Sequence, residues 1–172
     1  MRIIAGSRKG HRIEAPKNAA TRPTSDFVRE AAFNLIGPVD GASVIDLFAG
    51  SGAMGLEALS RGAASAVFVE SDRGACRTIN ANLDKLRLGA RVLCQDAARA
   101  LAADTGTYDL VLLDPPYGYE GRSRIAPHLA RILAPDGLLV YETAAEDEPE
   151  LGGLAVRTSR RYGSKRLTLF ER

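Results

Sequence analysis

The sequence predicts a doubly wound α/β domain built on a mostly parallel, seven-stranded sheet with helices on both faces. Five short, nearly continuous apolar runs alternate with stretches in which apolar residues recur at helical spacing. Such runs are typical of parallel strands that are covered by helices on both faces, and the alternation indicates a doubly wound order. A closing hairpin supplies two further strands. The 172 residues, 45% of them hydrophobic, can bury a core, and this composition excludes a disordered chain.

The chain opens with a predicted basic hairpin, which is followed by a helix. Segments 2–5 and 11–15 are predicted strands, and the tip between them, residues 6–10, is positively charged. A loop leads to a helix predicted over 25–36, which ends at a Gly-Pro pair. Asp26 is a candidate cap for this helix, although Arg29, three residues on, leaves it without a capping box. A composition shift near residue 24 divides the chain into a hairpin extension, 1–24, and a main domain, 25–172.

The main domain then repeats strands and helices. The apolar runs predict strands at 44–48, 66–70, 91–95, 110–114 and 138–142. Helical spacing predicts helices between them at 53–61, 72–86 and 122–133. Segments 155–161 and 166–170 are predicted to form the closing hairpin.

Charge is segregated along the chain, although the formal net charge is only +2. Residues 1–25 carry six basic side chains and one acidic one, and residues 157–172 do the same, so each end has a net charge of +5. The segment between them carries −8. This pattern indicates either a polyanionic partner approached by both ends or solvated basic loops.

Other features restrict the class of protein. Cys76 and Cys94 provide neither a disulfide framework nor a zinc site, so we expect free thiols and no metal. No apolar run approaches the roughly 20 residues of a membrane helix, and the N-terminal apolar stretch is too short for a signal peptide. We therefore expect a cytoplasmic protein without a membrane partner.

A glycine-rich turn follows the first predicted strand. Gly50, Gly52 and Gly55 satisfy the pattern G-x-G-x-x-G before a helix, and Glu70 closes the next strand. Glycines let the backbone approach a ligand at a helix N-terminus, while a carboxylate accepts hydrogen bonds from ribose hydroxyls. The motif alone is compatible with a nicotinamide dinucleotide, with S-adenosylmethionine, or with a structural tight turn.

Two further acids favour the sulfonium cofactor. Asp46 lies inside the first strand, where a carboxylate disfavours a pyrophosphate and suits a cationic methyl donor. Asp96, at the end of the third strand, can accept from the adenine amine. Each can alternatively cap a helix or a loop. With Glu70 they give three acids at the carboxyl ends of successive strands, where α/β sheets bind ligands.

The fourth strand ends in Asp114-Pro115-Pro116-Tyr117. The prolines restrict the backbone and remove two N–H donors, so a carboxylate, a carbonyl and an aromatic ring can receive a planar base with an exocyclic amine. The amine donates to Asp114 and to the Pro115 carbonyl, while Tyr117 stacks on a base flipped out of its helix. Transfer then depends on positioning and electrostatics. An aspartate accepts from both guanine N1–H and N2, which favours guanine over adenine, although the Pro115 carbonyl alone can hold an adenine amine.

These motifs resemble the bacterial 16S ribosomal RNA guanine-N2 methyltransferase family D. The resemblance lies in DLFAGSGAMGLEALSRGA over 46–63, FVE over 68–70, DPPY over 114–117, and the opening segments 2–6 and 21–34. It implies methylation of a guanine N2, with S-adenosylmethionine as the cofactor, in 16S rRNA within the 30S subunit or its precursor. The enzyme is expected to act as a monomer. The chain departs from the family pattern at Tyr162-Gly163-Ser164-Lys165, where a threonine is expected in place of the lysine.

The resemblance also implies roles for individual residues. The expected cofactor-binding residues are Asp46, Phe48, Ala49, Gly50, Ser51, Gly52, Glu70, Ser71, Asp96, Ala97 and Asp114. The expected catalytic residues, which hold the guanine, are Asp114, Pro115, Pro116 and Tyr117. The expected RNA-binding residues are Arg2, Arg8, Lys9, Arg12 and Arg22. Alternative functions are an adenine-N6 methyltransferase acting on DNA or RNA, a nucleotide-dependent oxidoreductase, and a non-catalytic RNA-binding or assembly factor.

Overall fold

A computed structural model describes residues 1–17 and 25–172. Its elements, in chain order, are α1 (Asp26–Ile36), β1 (Ser43–Leu47), α2 (Ala53–Ser60), β2 (Ser65–Glu70), α3 (Arg73–Leu86), β3 (Arg91–Cys94), α4 (Ala97–Ala103), β4 (Tyr108–Leu113), α5 (Arg122–Ile132), β5 (Leu133–Ala144), β6 (Ala155–Tyr162) and β7 (Lys165–Glu171).

The strands form one seven-stranded sheet in the order β3-β2-β1-β4-β5-β7-β6. Strands β1 to β5 pair in parallel, and β7 runs antiparallel to both β5 and β6. The order reverses direction between β1 and β4, and such a switch point is where open α/β sheets bind ligands. The predicted fold class, a mostly parallel seven-stranded sheet, is confirmed.

Helices cover both faces of the sheet. On one face, residues of α1, α2 and α3 such as Phe33, Leu56 and Ile79 pack with Val44 and Phe68 of the strands. On the other face, Leu101 of α4 and Leu129 of α5 pack with strand residues whose side chains point to that face, among them Ile45 and Val111. Successive residues of a strand pack alternately against the helices on one face and the helices on the other. Both faces therefore need apolar side chains, which explains why the strand sequences are apolar throughout.

Several element predictions were wrong in detail. Ser25, not Asp26, caps α1 by accepting a hydrogen bond from the Val28 N–H, while Asp26 accepts from Arg29 over 2.9 Å. Helix α4 is absent from the predicted helices, because its seven residues are too few to show a clear apolar period. Strand β5 starts at Leu133, five residues before the predicted start, and pairs there with Tyr108 across a register irregularity.

The N-terminal segment packs on the main body instead of forming two regular strands. A single bridge, Arg2 with Arg12, replaces the strands predicted at 2–5 and 11–15. Ile3 and Ile13 are buried in the same core cluster as α1 and α2. The buried carboxylate of Glu57, on α2, accepts from two backbone N–H groups of this segment, each over 2.9 Å.

Within the described residues, the longest helix is α3, with 14 residues, and no helix is long and apolar enough to cross a membrane.

Candidate functional site

The glycine-rich turn lies between β1 and α2, at the carboxyl edge of the sheet. Gly50 and Gly52 have φ angles of 56° and 78°, a left-handed conformation that glycine adopts without a Cβ penalty. The turn is closed by a hydrogen bond from Gly52 N to Ala49 O over 2.7 Å. Phe48, just before the turn, also has a positive φ, 63°. Such backbone strain at a non-glycine residue is typical of functional sites.

The glycines of this motif serve different purposes. A Cβ on Gly55 would lie 2.4 Å from Phe68 Cε1, so Gly55 is needed for the packing of α2 on the sheet. A Cβ on Gly50 would meet nothing within 4 Å, so open space faces this residue. The motif therefore combines a packing glycine with a backbone segment that a ligand can approach.

Asp46 is buried beneath the turn. Its Oδ2 accepts from the N–H of Gly55, the third residue of α2, over 2.9 Å. The N-cap residue of α2, Gly52, has no side chain, so Asp46 supplies the capping bond from the neighbouring strand. The pKa of Asp46 is raised to about 7, chiefly by burial, with further increases from the charges of Asp114 and Glu70 and an opposing effect of the Gly55 bond.

Glu70 joins the glycine turn to the second strand. One of its oxygens accepts from Gly50 N over 2.9 Å, and the other accepts from Asp72 N over 2.8 Å. Each carboxylate oxygen can accept more than one hydrogen bond, so Glu70 retains capacity for a ligand hydroxyl. Ser71, the residue after Glu70, is exposed at the start of the next loop.

Asp96 caps α4 by accepting a hydrogen bond from Arg99 N over 3.1 Å, so the capping alternative holds for this residue. The following residue, Ala97, is buried at the start of the helix.

Phe48 and Tyr119 form an aromatic pair. Their rings meet edge to face, with the two ring centroids 4.8 Å apart. Burial raises the pKa of Tyr119, and the charge of Asp96 raises it further. Tyr119 was missed by the sequence analysis, although it stands only two residues after Tyr117.

The Asp-Pro-Pro-Tyr motif leaves the sheet directly after β4. Asp114 and Pro115 are half-buried, Pro116 is exposed, and the motif ends in a turn with Tyr119 N donating to Pro116 O over 3.1 Å. The Tyr117 side chain is 68% exposed, which is unusual for a large ring. An exposed aromatic ring is a surface on which a base can stack.

A lysine and a glutamate from the last strands complete this end of the site. Lys165 Nζ lies 2.6 Å from Glu142 Oε1 and 5.0 Å from the centroid of the Tyr117 ring. Sequence reasoning missed both residues as members of the site. Glu142 ends the predicted strand 138–142, so the rule that selected other strand-end acids would also have selected it.

The basic residues of the N-terminal segment differ in their surroundings. Arg8 donates from Nε to Leu86 O over 2.5 Å and from Nη2 to Arg87 O over 3.5 Å, so it caps the C-terminus of α3. Arg2 donates to Gly10 O over 3.2 Å. Lys9 and Arg12 are exposed. The fifth predicted RNA-binding residue, Arg22, lies outside the described residues.

Asn82 connects this basic segment to the glycine turn. Its side chain is fully buried, and its Oδ1 accepts from Glu14 N over 2.8 Å. Its Nδ2 donates to Glu14 O over 3.0 Å and to Ser51 O over 3.1 Å. One amide therefore holds the N-terminal segment and the expected cofactor loop together. No sequence pattern indicated this role.

The two cysteines, Cys76 and Cys94, are both free thiols. Among residues 1–17 and 25–172, no group of three or more His, Cys, Asp or Glu side chains could hold a metal ion.

The chain is similar to known proteins over nearly its whole length. It is 40% identical to YlbH of Bacillus subtilis, which carries the name of an rRNA methyltransferase, over 100% of this chain and 99% of that protein. It is 39% identical to the Ribosomal RNA small subunit methyltransferase D of Escherichia coli K12, over 88% of this chain and 75% of that protein.

Solved structures share its fold. The protein yhhF from Escherichia coli matches with a TM-score of 0.88 and 34% identity, covering 100% of this chain and 97% of that one. The Thermus thermophilus protein TTHA0928 matches with a TM-score of 0.86 and 32% identity, covering 100% and 99%. The family model described as "Conserved hypothetical protein 95" matches residues 1–171. The chain therefore belongs to this family, which is the family of the small-subunit ribosomal RNA methyltransferase D.

Proposed function

We propose that this protein transfers a methyl group from S-adenosylmethionine to the exocyclic N2 of a guanine in 16S rRNA. The observation that carries the proposal is the pairing, at one sheet edge, of a glycine turn flanked by the buried Asp46 and the half-buried Glu70 with the motif Asp114 to Tyr117. The names of the relatives support methylation of small-subunit rRNA. The chemistry of Asp114 favours guanine N2 as the target over the amine of adenine.

The residues around the glycine turn fit the cofactor. The buried acid Asp46 and its neighbours Glu70 and Asp114 lie close enough for their charges to raise the pKa of Asp46, so the site is prepared for a cation. Glu70 can accept from ribose hydroxyls, and the open face of Gly50 admits the ligand. The cofactor supplies an electrophilic methyl group. Phe48, Ala49, Ser51, Gly52, Ser71, Asp96 and Ala97 complete the proposed binding site.

The residues of the Asp-Pro-Pro-Tyr motif hold the target base. Asp114 accepts from N1–H and from the N2 amine of guanine, and the Pro115 carbonyl accepts from the second N2 hydrogen. The exposed Tyr117 ring stacks on the base, which has left its helix. These contacts favour a pyramidal N2 whose lone pair forms the new bond to carbon. With the cofactor bound, the carbon–sulfur bond would break with its electron pair left on sulfur, and N2 would release one proton to water.

The basic N-terminal segment binds the RNA backbone. We assign phosphate contacts to Arg2, Arg8, Lys9, Arg12 and Arg22, because residues 1–25 carry a net charge of +5. The partner is 16S rRNA within the 30S subunit or its precursor, the enzyme acts as a monomer, and its compartment is the cytoplasm. Residues 1–24 serve as the RNA-contacting extension of the methyltransferase domain 25–172.

Methyl transfer to small ribosomal subunits tests the proposal. Subunits come from cells that lack the gene, S-adenosylmethionine carries a labelled methyl group, and mass spectrometry identifies the methylated nucleoside. We expect N2-methylguanosine with the natural protein and none with Asp114→Ala at a cofactor concentration that saturates the variant. N6-methyladenosine would overturn the guanine assignment. No transfer despite tight cofactor binding would point to another substrate or to a binding role.

A further inference from the structure

Lys165 belongs by position to the same sheet edge as the Asp-Pro-Pro-Tyr motif. It is the first residue of β7, and it pairs with Ala144, the last residue of β5. Because β7 runs antiparallel to its neighbour, its amino end lies at the carboxyl ends of the parallel strands. The hairpin between β6 and β7 thus brings a lysine next to residues that precede it by about 50 positions.

The ammonium group is held there by named contacts. It lies 2.6 Å from Glu142 Oε1, whose carboxylate is buried, and 5.0 Å from the centroid of the Tyr117 ring. Lys165 is 25% exposed, so part of its charge remains open to the site. A stable ion pair with a buried carboxylate keeps the flexible lysine stem in one region.

Lys165 keeps its charge at neutral pH. Burial is the largest single effect and lowers its pKa, but the hydrogen bond and charge of Glu142, together with the charges of Asp114 and Tyr117, raise the pKa above its ordinary value. An ammonium has three N–H donors, of which Glu142 takes one. Donors therefore remain on the ammonium that lies over the Tyr117 ring and that the charge of Asp114 influences.

The Watson–Crick edge of guanine requires such a donor. It presents the N2 amine and N1–H, which match the acceptor Asp114, followed by O6, which is an acceptor. Adenine presents a donor amine at the position of O6, so an ammonium there would meet another donor. We propose that Lys165 donates to O6 of the target base and so selects guanine. This inference rests on the proposed function.

The test compares two target bases. Small subunits are reconstituted from 16S rRNA carrying, at the mapped position, either guanine or 2-aminopurine, which keeps the 2-amino group but lacks both O6 and the N1–H. Single-turnover transfer is timed for the natural protein, for Lys165→Met and for Lys165→Arg. We expect Lys165→Met to slow transfer to guanine by about tenfold or more, the size of a charged hydrogen bond, and transfer to 2-aminopurine by less than about threefold. Lys165→Arg should recover most of the guanine rate. Equal slowing on both bases would overturn the proposal.

A purely structural role for Lys165 makes a different prediction. If Lys165 only neutralises Glu142, the double variant Lys165→Met/Glu142→Gln should recover transfer to guanine. Under the proposal it stays as slow as Lys165→Met, and recovery would overturn the assignment. If transfer to 2-aminopurine subunits is too slow to be timed, the rate of the double variant on guanine subunits decides between the two roles of Lys165. Cofactor affinity, measured for each variant, must stay unchanged for the guanine effect to count as base recognition. Lys165→Met leaves the buried Glu142 without its ion pair, so its thermal midpoint should fall but must stay above the assay temperature.

The identity of the nucleoside that the natural protein forms distinguishes failure of the proposed function from failure of the role assigned to Lys165. If it is N6-methyladenosine, the proposed function fails and the inference fails with it. If it is N2-methylguanosine and Lys165→Met slows both bases equally, the proposed function stands and only the role of Lys165 is refuted.

Discussion

Replacing Asp46 with asparagine should remove a pH dependence from cofactor binding. Asp46 has a pKa of about 7 without ligand, and a cationic ligand favours its ionised form. Between about pH 6 and pH 8, the ionised fraction of such a group rises from roughly one tenth to roughly nine tenths. The affinity of the natural protein for S-adenosylmethionine should therefore rise about tenfold over this range, or about 1.4 kcal/mol.

Asparagine is a close steric match, because its Oδ1 can still accept the hydrogen bond from Gly55 N. Asp46→Asn should therefore bind the cofactor more weakly at pH 8 and with little change between pH 6 and pH 8. Titration calorimetry measures both affinities. Asp109→Asn is the control, because Asp109 also accepts from a backbone N–H, that of Ser43, at the opposite end of the sheet.

The same variant should gain stability when no ligand is bound. The unfolded chain ionises Asp46 near 3.8 and the folded protein at about 7, so stability is lost as pH rises between these values. A shift of about three units corresponds to at most about 4 kcal/mol, which Asp46→Asn relieves at pH 8. Urea unfolding measures the gain. Flat cofactor affinity in the natural protein, or unchanged stability at pH 8, would refute the assigned environment of Asp46.

Four other variants test the attachment and the RNA contacts of the N-terminal segment. Glu57→Gln leaves the buried Arg29 without its buried counter-charge and should lower the free energy of unfolding by about 3 kcal/mol; a urea titration showing under 1 kcal/mol would contradict this. Asn82→Ala should cost about 2 kcal/mol and weaken cofactor binding, because it also frees the Ser51 carbonyl; calorimetry showing unchanged affinity would argue against the link. Lys9→Ala should lower the salt slope of RNA binding by about one unit with stability unchanged, while Arg8→Ala should also destabilise the protein by about 1 kcal/mol. Equal stability of these two variants would contradict the capping role of the arginine.

Much of the architecture could be predicted because buried parallel strands and strand-end acids leave local signals. The runs of β1, β2 and β4 are apolar on both faces, and Glu70 and Asp114 stand where those runs stop. The contacts of Lys165 could not be predicted, since an antiparallel strand brings it back to the site from far along the chain. The bonds of Asn82 were equally hidden, because a buried amide that bridges two backbone segments has no sequence period.

The proposed site gives a physical reason for the separation of basic and acidic residues along the chain. The buried Asp46 and the half-buried Glu70 and Asp114 suit a cation, and their field repels phosphates, so under the proposed function the RNA backbone has to be held elsewhere. We propose that the basic termini, each with a net charge of +5, provide that hold. Because charges are largely screened beyond about 8 Å at physiological salt, a phosphate held outside the pocket is little affected by the acids. A flipped base is uncharged and can enter the pocket without this repulsion. Under the proposed function, the acidic centre therefore excludes backbone phosphates and admits the base, and the basic termini keep the RNA bound while the base is inside.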